Sequence, residues 1–361
     1  MKNSLRKYVL NFLLIIGLTV FALWFALKDD LDTVLELIQG LKYYQFIIII
    51  AWGVLYYIII GWILAVIARK YNKDYTITNG FINGMVGGFF SGITPSATGG
   101  QFGQAYIFKR QGIKYSEGAS ILWVDFIIFQ SVMMLYVAVL MLFRFTYFYN
   151  MSSPFFILVF IGFIINGAVI AVLWGMVKFP KISMKVCNFG INILAKIKIV
   201  KNPNELKENL NIQIISFKNE INNIKDDKKL ICKTILLNIL RVTVNFALPY
   251  YLLYILGVEL DFMMFINVIA MSSFVYMVNA FFPVPGATGG TESVFILIFT
   301  NLFDRSICAS VMILWRIATY HLIILLGGFI FLIYKNILDS KKDNIIINNE
   351  LEDKNENRAI Y

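Results

Sequence analysis

Four ionisable residues stand inside apolar stretches of this chain: Asp125, Arg241, Glu292 and Arg316. A charge at bilayer depth is costly and is kept where it pairs, binds or relays, so each is a candidate for recognising a polar ligand. Asp125 and Arg316 lie just beyond Trp123 and Trp315, in two stretches that share the string Ile-Leu-Trp, Ile121–Trp123 and Ile313–Trp315. These opposite charges are expected to meet near the midplane, as a structural ion pair or as a pair that gates a substrate. Arg241 is expected to snorkel toward the cytoplasmic face.

Two copies of one motif precede these charges. Pro95-Ser96-Ala97-Thr98-Gly99-Gly100 and Pro285-Gly286-Ala287-Thr288-Gly289-Gly290 differ only where Ser96 faces Gly286. Proline and paired glycines break helices, and broken helices at membrane depth persist only where protein or a watery cavity satisfies the freed backbone. A repeated break therefore points to a transport site. The N–H groups at Gly99, Gly100, Gly289 and Gly290 open half-helices whose positive ends suit an anionic group such as phosphate. Thr98, Gln101, Gln104, Thr288 and Thr291 add neutral hydrogen-bonding groups, while Glu292 either contacts a cationic or hydroxyl-bearing headgroup or caps its own half-helix.

The elements that must position these residues are membrane helices. Apolar residues make up 59% of the chain and charged residues 15%, against about 25% charge in soluble domains. The net charge of +10 sits in loops between apolar runs, which argues against nucleic acid as a partner and for the positive-inside rule. Cys187, Cys232 and Cys308 lack metal-site or disulfide spacing, and the single histidine, His321, is expected to pack in an apolar helix. There is no P-loop, HExxH, Asp-x-Asp or Ser–His–Asp set. No catalytic residue, metal or cofactor is expected.

Uninterrupted apolar runs at 9–27, 45–68, 118–143, 155–177, 231–256 and 307–334 each approach or exceed the roughly 20 residues that cross a bilayer. The segments 77–112 and 262–304 carry the motifs. Lys2, Arg6 and Lys7 place the N-terminus in the cytoplasm, the acidic loop 28–44 outside, and Arg69, Lys70 and Lys73 inside again. If 77–112 dips and returns, the loop 178–230, with eleven lysines and five acids, is cytoplasmic; if it crosses, that loop faces outward. The same test makes 262–304 a hairpin entering from outside. The predicted fold is an all-α polytopic membrane protein, with about six full spans and two re-entrant Pro/Gly-broken hairpins in an inverted repeat. Unit one covers 45–143 and unit two 231–334 of a membrane domain at 1–338; the basic loop 178–230 holds candidate amphipathic helices, and 339–361 is a disordered cytoplasmic tail. The protein is expected in the cell membrane with both termini cytoplasmic.

At these residues the chain resembles the lysylphosphatidylglycerol synthase transmembrane-region family, or flippase-like membrane proteins. The resemblance is carried by Gly92-Ile93-Thr94-Pro95-Ser96-Ala97-Thr98-Gly99-Gly100-Gln101 with Gly112 beyond, by Pro283-Val284-Pro285-Gly286-Ala287-Thr288-Gly289-Gly290-Thr291-Glu292, and by the span containing Arg316. It covers roughly residues 5–335 and adds Thr94 and Pro283 to the candidate substrate-binding set. In the family's bifunctional member, the multiple peptide resistance factor, such a region moves aminoacylated phosphatidylglycerol to the outer leaflet and a separate cytosolic domain makes it. This chain looks like the membrane region alone. Where many relatives carry a glutamate after the first glycine pair and a basic residue in the next span, it has Gln101, and Asp125 as that span's only charge.

The leading expectation is a lipid translocase moving an anionic or aminoacylated phospholipid, or a polyprenyl-phosphate lipid, between leaflets. One alternative is a phosphatidylglycerol lysyltransferase or its membrane subunit, acting in cationic peptide resistance. Another is a membrane anchor for a lipid-linked glycosyltransferase. The expected partners are a membrane lipid and, as a candidate, a lipid-synthesising enzyme; the oligomeric state stays open.

Overall fold

The computed structural model describes residues 31–335, apart from 152, 197–201, 209, 210, 213, 214, 216, 217, 219–223, 225, 279–281 and 283. The expected span 9–27, the tail 339–361 and Pro283 lie outside the described residues. All regular elements among the described residues are helices. In chain order they are α1 (Leu31–Gln39), α2 (Tyr43–Ala68), α3 (Ile77–Ile93), α4 (Gly99–Arg110), α5 (Tyr115–Phe143), α6 (Phe145–Met151), α7 (Ser153–Lys178), α8 (Pro180–Lys196), α9 (Lys228–Ile255), α10 (Phe262–Val278), α11 (Gly290–Phe299) and α12 (Arg305–Lys335).

Four of these, α2, α5, α9 and α12, are long and apolar enough to cross a bilayer, and they coincide with the expected spans 45–68, 118–143, 231–256 and 307–334. The protein is an all-α polytopic membrane protein. Its long helices are apolar around much of their girth, the pattern of helices that face protein on one side and lipid on the other. In α2, Ile59, Ile63 and Ile67 are buried while Ile47, Leu55 and Ile58 are exposed.

The segment 77–112 is an antiparallel hairpin. Thr76 caps α3 by accepting from Asn79 N–H at 3.1 Å, and Pro95 ends the helix because its ring excludes the preceding turn. α4 then folds back along α3. Asn83 Nδ2 donates to Gln104 O at 3.0 Å, and Gln111 Nε2 donates to Asn79 O at 2.9 Å. Rising numbers on one helix meet falling numbers on the other, so both ends of the hairpin lie at the same level.

Trp52 Nε1 donates to Val244 O at 2.8 Å, Trp52 stacks on Tyr251, and Tyr56 meets Arg241. Helices α2 and α9 thus pack with opposite chain direction. The two broken turns, Pro95–Ala97 and Pro285–Ala287, touch each other at the centre.

α2 and α3 cross at glycine against glycine. A Cβ on Gly61 would lie 2.4 Å from Phe81 N, and one on Gly80 would lie 2.1 Å from Gly61 O. Backbone on both sides leaves no side chain free to yield. Gly61→Val is expected to cost about 1–3 kcal/mol through overpacking, read as a lower thermal midpoint in detergent. Gly175→Ala, where a Cβ meets nothing within 4 Å, is the unaffected control.

Candidate functional site

The two motif copies build related turns that differ at their second residue, where Gly286 is left-handed (φ 60°) and Ser96 is not. Thr94 and Val284 are extended, Pro95 and Pro285 start a single 3-10 turn, and Ala97 and Ala287 both take positive φ, at 55° and 51°. A left-handed alanine costs roughly 1–2 kcal/mol, and strain of this kind persists only where the surroundings enforce it. Thr98 Oγ1 donates to Pro95 O at 3.0 Å, and Thr288 Oγ1 donates to Pro285 O at 2.9 Å.

After the threonine the copies part. The first enters α4 directly, and Gly99 N–H is taken by Thr94 Oγ1 at 2.8 Å. The second turns once more at Gly289, φ 86°, before α11 begins at Gly290. There Gly289 N–H donates to Glu292 Oε2 at 2.7 Å, so Glu292 caps its own half-helix. Thr291 Oγ1 donates to Ala287 O at 3.0 Å.

Glu292 does more than cap. Its Oε1 lies 2.8 Å from Arg316 Nε, with both side chains nearly inaccessible. The Nε–H vector misses the carboxylate, so this contact attracts by charge rather than as an aligned hydrogen bond. Arg316 Nη2 donates to Gly286 O at 3.2 Å and to Thr288 Oγ1 at 3.4 Å, and the guanidinium lies 4.1 Å from the centre of the Tyr320 ring. Tyr320 in turn donates to Gly92 O at 3.1 Å, tying the second turn to the first hairpin. The second copy is therefore closed on itself.

Gly286 is where this closure is tightest. Its φ is 60°, and a Cβ there would fall 2.1 Å from the Tyr320 ring. Gly286→Ala is expected to displace Tyr320, break its bond to Gly92 O and lower the thermal midpoint. Pairing it with Tyr320→Ala should restore part of the loss by removing the clash.

The first copy is open. Phe102 stands where the second copy has Glu292, and Phe102 is 78% exposed. With no acid to close upon, the first hairpin leaves a cavity of about 580 Å³, inside the roughly 300–1,000 Å³ range of ligand pockets. Thr98, just before α4, and Gln101, Phe102 and Gln104 of α4 line one side and Gly84, Gly87, Gly88 and Ser91 of α3 another. Tyr56 and Tyr57 of α2, Asp125, Phe126 and Phe129 of α5, Arg241 of α9 and Tyr276 of α10 complete the wall.

One ion pair lies in that wall. Arg241 Nη1 is 3.5 Å from Asp125 Oδ2, and the two side chains are only 12% and 14% exposed. Arg241 also donates to Tyr56 Oη at 3.3 Å and to Asn238 Oδ1 at 3.5 Å, and it lies 4.0 Å from the centre of Phe129. Asp125 Oδ1 is buried with no hydrogen-bond partner. The cavity wall thus carries the Asp125 carboxylate beside a guanidinium held by an aromatic face and long polar contacts. This arrangement can accept an oxyanion at Arg241 and a donor group at Asp125.

Three expectations are corrected here. Asp125 and Arg316 do not meet, because each takes a different partner: Arg241 on α9 for Asp125, Glu292 on α11 for Arg316. Arg241 does not snorkel; mid-way along the 28-residue α9, its charge is compensated in place by Asp125, Phe129 and Tyr56. Of the converging N–H groups expected at the half-helix starts, those of Gly99 and Gly289 are already occupied. The candidates fall into three groups. Thr98, Gln101, Gln104 and Asp125 line the cavity; Thr94, Pro95, Gly99 and Gly100 shape the hairpin beneath it. Pro285, Thr288, Gly289, Gly290, Thr291, Glu292 and Arg316 form the closed second turn. Sequence reasoning missed Tyr56, Tyr57, Phe126, Phe129 and Tyr276, whose signal is weak in a chain with 32 phenylalanines and 19 tyrosines. It also missed Gly84, Gly87 and Gly88. Their spacing along one face of α3 was a usable clue, since Tyr57 Oη lies 2.4 Å from where a Cβ on Gly88 would stand.

Residues 9–327 match the family described as the lysylphosphatidylglycerol synthase TM region. The chain belongs to that family. It is accordingly a membrane protein related to lysylphosphatidylglycerol synthesis, and both broken turns and the cavity lie within the matched region. No curated protein matches it.

Proposed function

We propose that the protein is a lipid translocase whose cavity above the first hairpin receives the polar headgroup of a membrane lipid. The observation that carries this reading is the Asp125–Arg241 pair, set at bilayer depth in a cavity large enough for a headgroup. Arg241 receives the phosphate oxygens, as guanidinium groups do with a fork of donors. The Asp125 carboxylate accepts from a hydroxyl or ammonium of the headgroup, and Gln101 and Gln104 offer neutral contacts. The aromatic walls exclude water, which strengthens each of these interactions.

The two broken turns supply the means of passage. In an inverted repeat, opening one half and closing the other exposes a central site to alternate sides. One half is open here and the other is closed by Glu292, Arg316 and Tyr320. The substrate class is an anionic or aminoacylated phospholipid or a polyprenyl-phosphate lipid; the family description brings lysyl-phosphatidylglycerol to the head of that list. The protein acts in the cell membrane with its termini in the cytoplasm, in the orientation the loop charges favour.

The test is translocation of headgroup-labelled lipid by purified protein in proteoliposomes, comparing lysyl-phosphatidylglycerol, phosphatidylglycerol and undecaprenyl phosphate. Rapid movement of one lipid over a protein-free control is expected. Folded protein that moves none of them contradicts the reading and directs attention to aminoacyl transfer or to an enzyme partner.

A further inference from the structure

Helix α8 presents an apolar face that no described element covers. Ile182, Val186, Phe189 and Ile193 recur at intervals of three and four, so they form one stripe along the helix. Phe189 is 68% exposed, Val186 64% and Ile182 59%. A stripe of this kind left in water is a liability unless something occupies it. The principal packing neighbour of α8 among the described elements is α7, which directly precedes it.

Three observations identify the occupant. α7 is an apolar helix with an exposed face, including Phe160, Ile164 and Val172. Only Phe179 separates the end of α7 at Lys178 from the start of α8 at Pro180, so the α8 stripe follows directly in the chain on a helix with an exposed apolar face. Lys181 and Lys185 are exposed and lie together along one border of the stripe, about 70–110° from its centre at 100° per residue. Apolar residues on one face with lysines along the border is the pattern of a helix lying in the interface of an anionic bilayer.

We propose that α8 is an interfacial helix, seated on anionic phospholipid of the leaflet that receives the basic 178–230 segment. Its apolar stripe enters the boundary between headgroups and acyl chains, and Lys181 and Lys185 contact phosphate. The docked helix fixes the start of the connection between the two repeat units at the membrane surface. The identity of that leaflet rests on the orientation proposed above, whereas the lipid contact does not.

The test uses full-length protein in lipid nanodiscs, in a C187A/C232A/C308A background. A fluorophore is placed at Phe189→Cys, on the stripe, or at Asn192→Cys, on the polar side. With phosphatidylglycerol present, the probe at 189 should be quenched by lipids brominated near the glycerol and protected from aqueous iodide, while that at 192 shows the reverse. Each of Lys181→Gln and Lys185→Gln should lower the docked-to-free ratio by a factor of about five, reflecting the attraction of one basic residue to an anionic surface. Equal docking in purely zwitterionic nanodiscs, or no effect of the lysine variants, overturns the anionic-lipid assignment. Protection of position 189 from iodide without quenching by bromolipid shows a protein occupant and overturns the proposal. Lipid translocation measured on the K181Q/K185Q variant separates its failure from failure of the transport reading, since neither lysine lines the cavity.

Discussion

Arg241→Gln is expected to abolish headgroup binding and to destabilise the protein by about 3–5 kcal/mol, the usual cost of removing one partner from a buried ion pair. The loss has two sources. Asp125 is left charged at bilayer depth with Oδ1 already unpaired, and the Phe129 and Tyr56 faces lose the cation they hold. Asp125→Asn in the same chain removes the orphaned charge. The double variant should therefore recover most of the thermal midpoint, because replacing both partners of a buried pair is often close to neutral. It should not recover binding. That separation is the signature of a ligand-binding pair, since a purely structural pair would recover both together. Thermal unfolding in detergent, with and without short-chain lipid, reads the two effects.

The second large effect is expected at Glu292. Glu292→Ala strands Arg316 in a site where the arginine side chain is 7% exposed, and it frees Gly289 N–H from its cap. A loss of about 3–5 kcal/mol is again expected, with a cap contribution of about 1 kcal/mol within it. Arg316→Leu alone should cost a similar amount, because it buries an unpaired glutamate. Residues in one network do not act additively, so the double variant should lose distinctly less than the two single losses summed. If Glu292 and Arg316 instead contribute independently, the closed second turn is not held by their contact.

These two pairs show how far the sequence reached. The broken turns were legible because proline and paired glycines leave few backbone options, and both copies start a 3-10 turn at proline and reach a left-handed alanine two residues on. The hairpin at 77–112 was legible from loop charge, because a lysine-rich loop constrains which side it occupies. The four long spans followed from apolar run length. The pairing of charges was not legible. Symmetry suggested that Asp125 and Arg316 would meet, yet partner choice depends on which helices cross at which depth. α9 packs against both α2 and α5, which brings Arg241 to Asp125. Arg316 is met by Glu292 from within its own unit. The asymmetry of the two turns goes with two differences, Ser96 against the left-handed Gly286 and Phe102 against Glu292, and the second gains its meaning only once Arg316 is seen beside the second turn.

The most direct measurement is an experimental density map of the protein in nanodiscs containing the lipid that it moves. The expected result is a headgroup in the cavity above the first hairpin, its phosphate in contact with the Arg241 guanidinium and a donor group at the Asp125 carboxylate. Headgroup density confined to the outer surface of the helices, with the cavity empty and the Asp125–Arg241 contact unchanged, would contradict it.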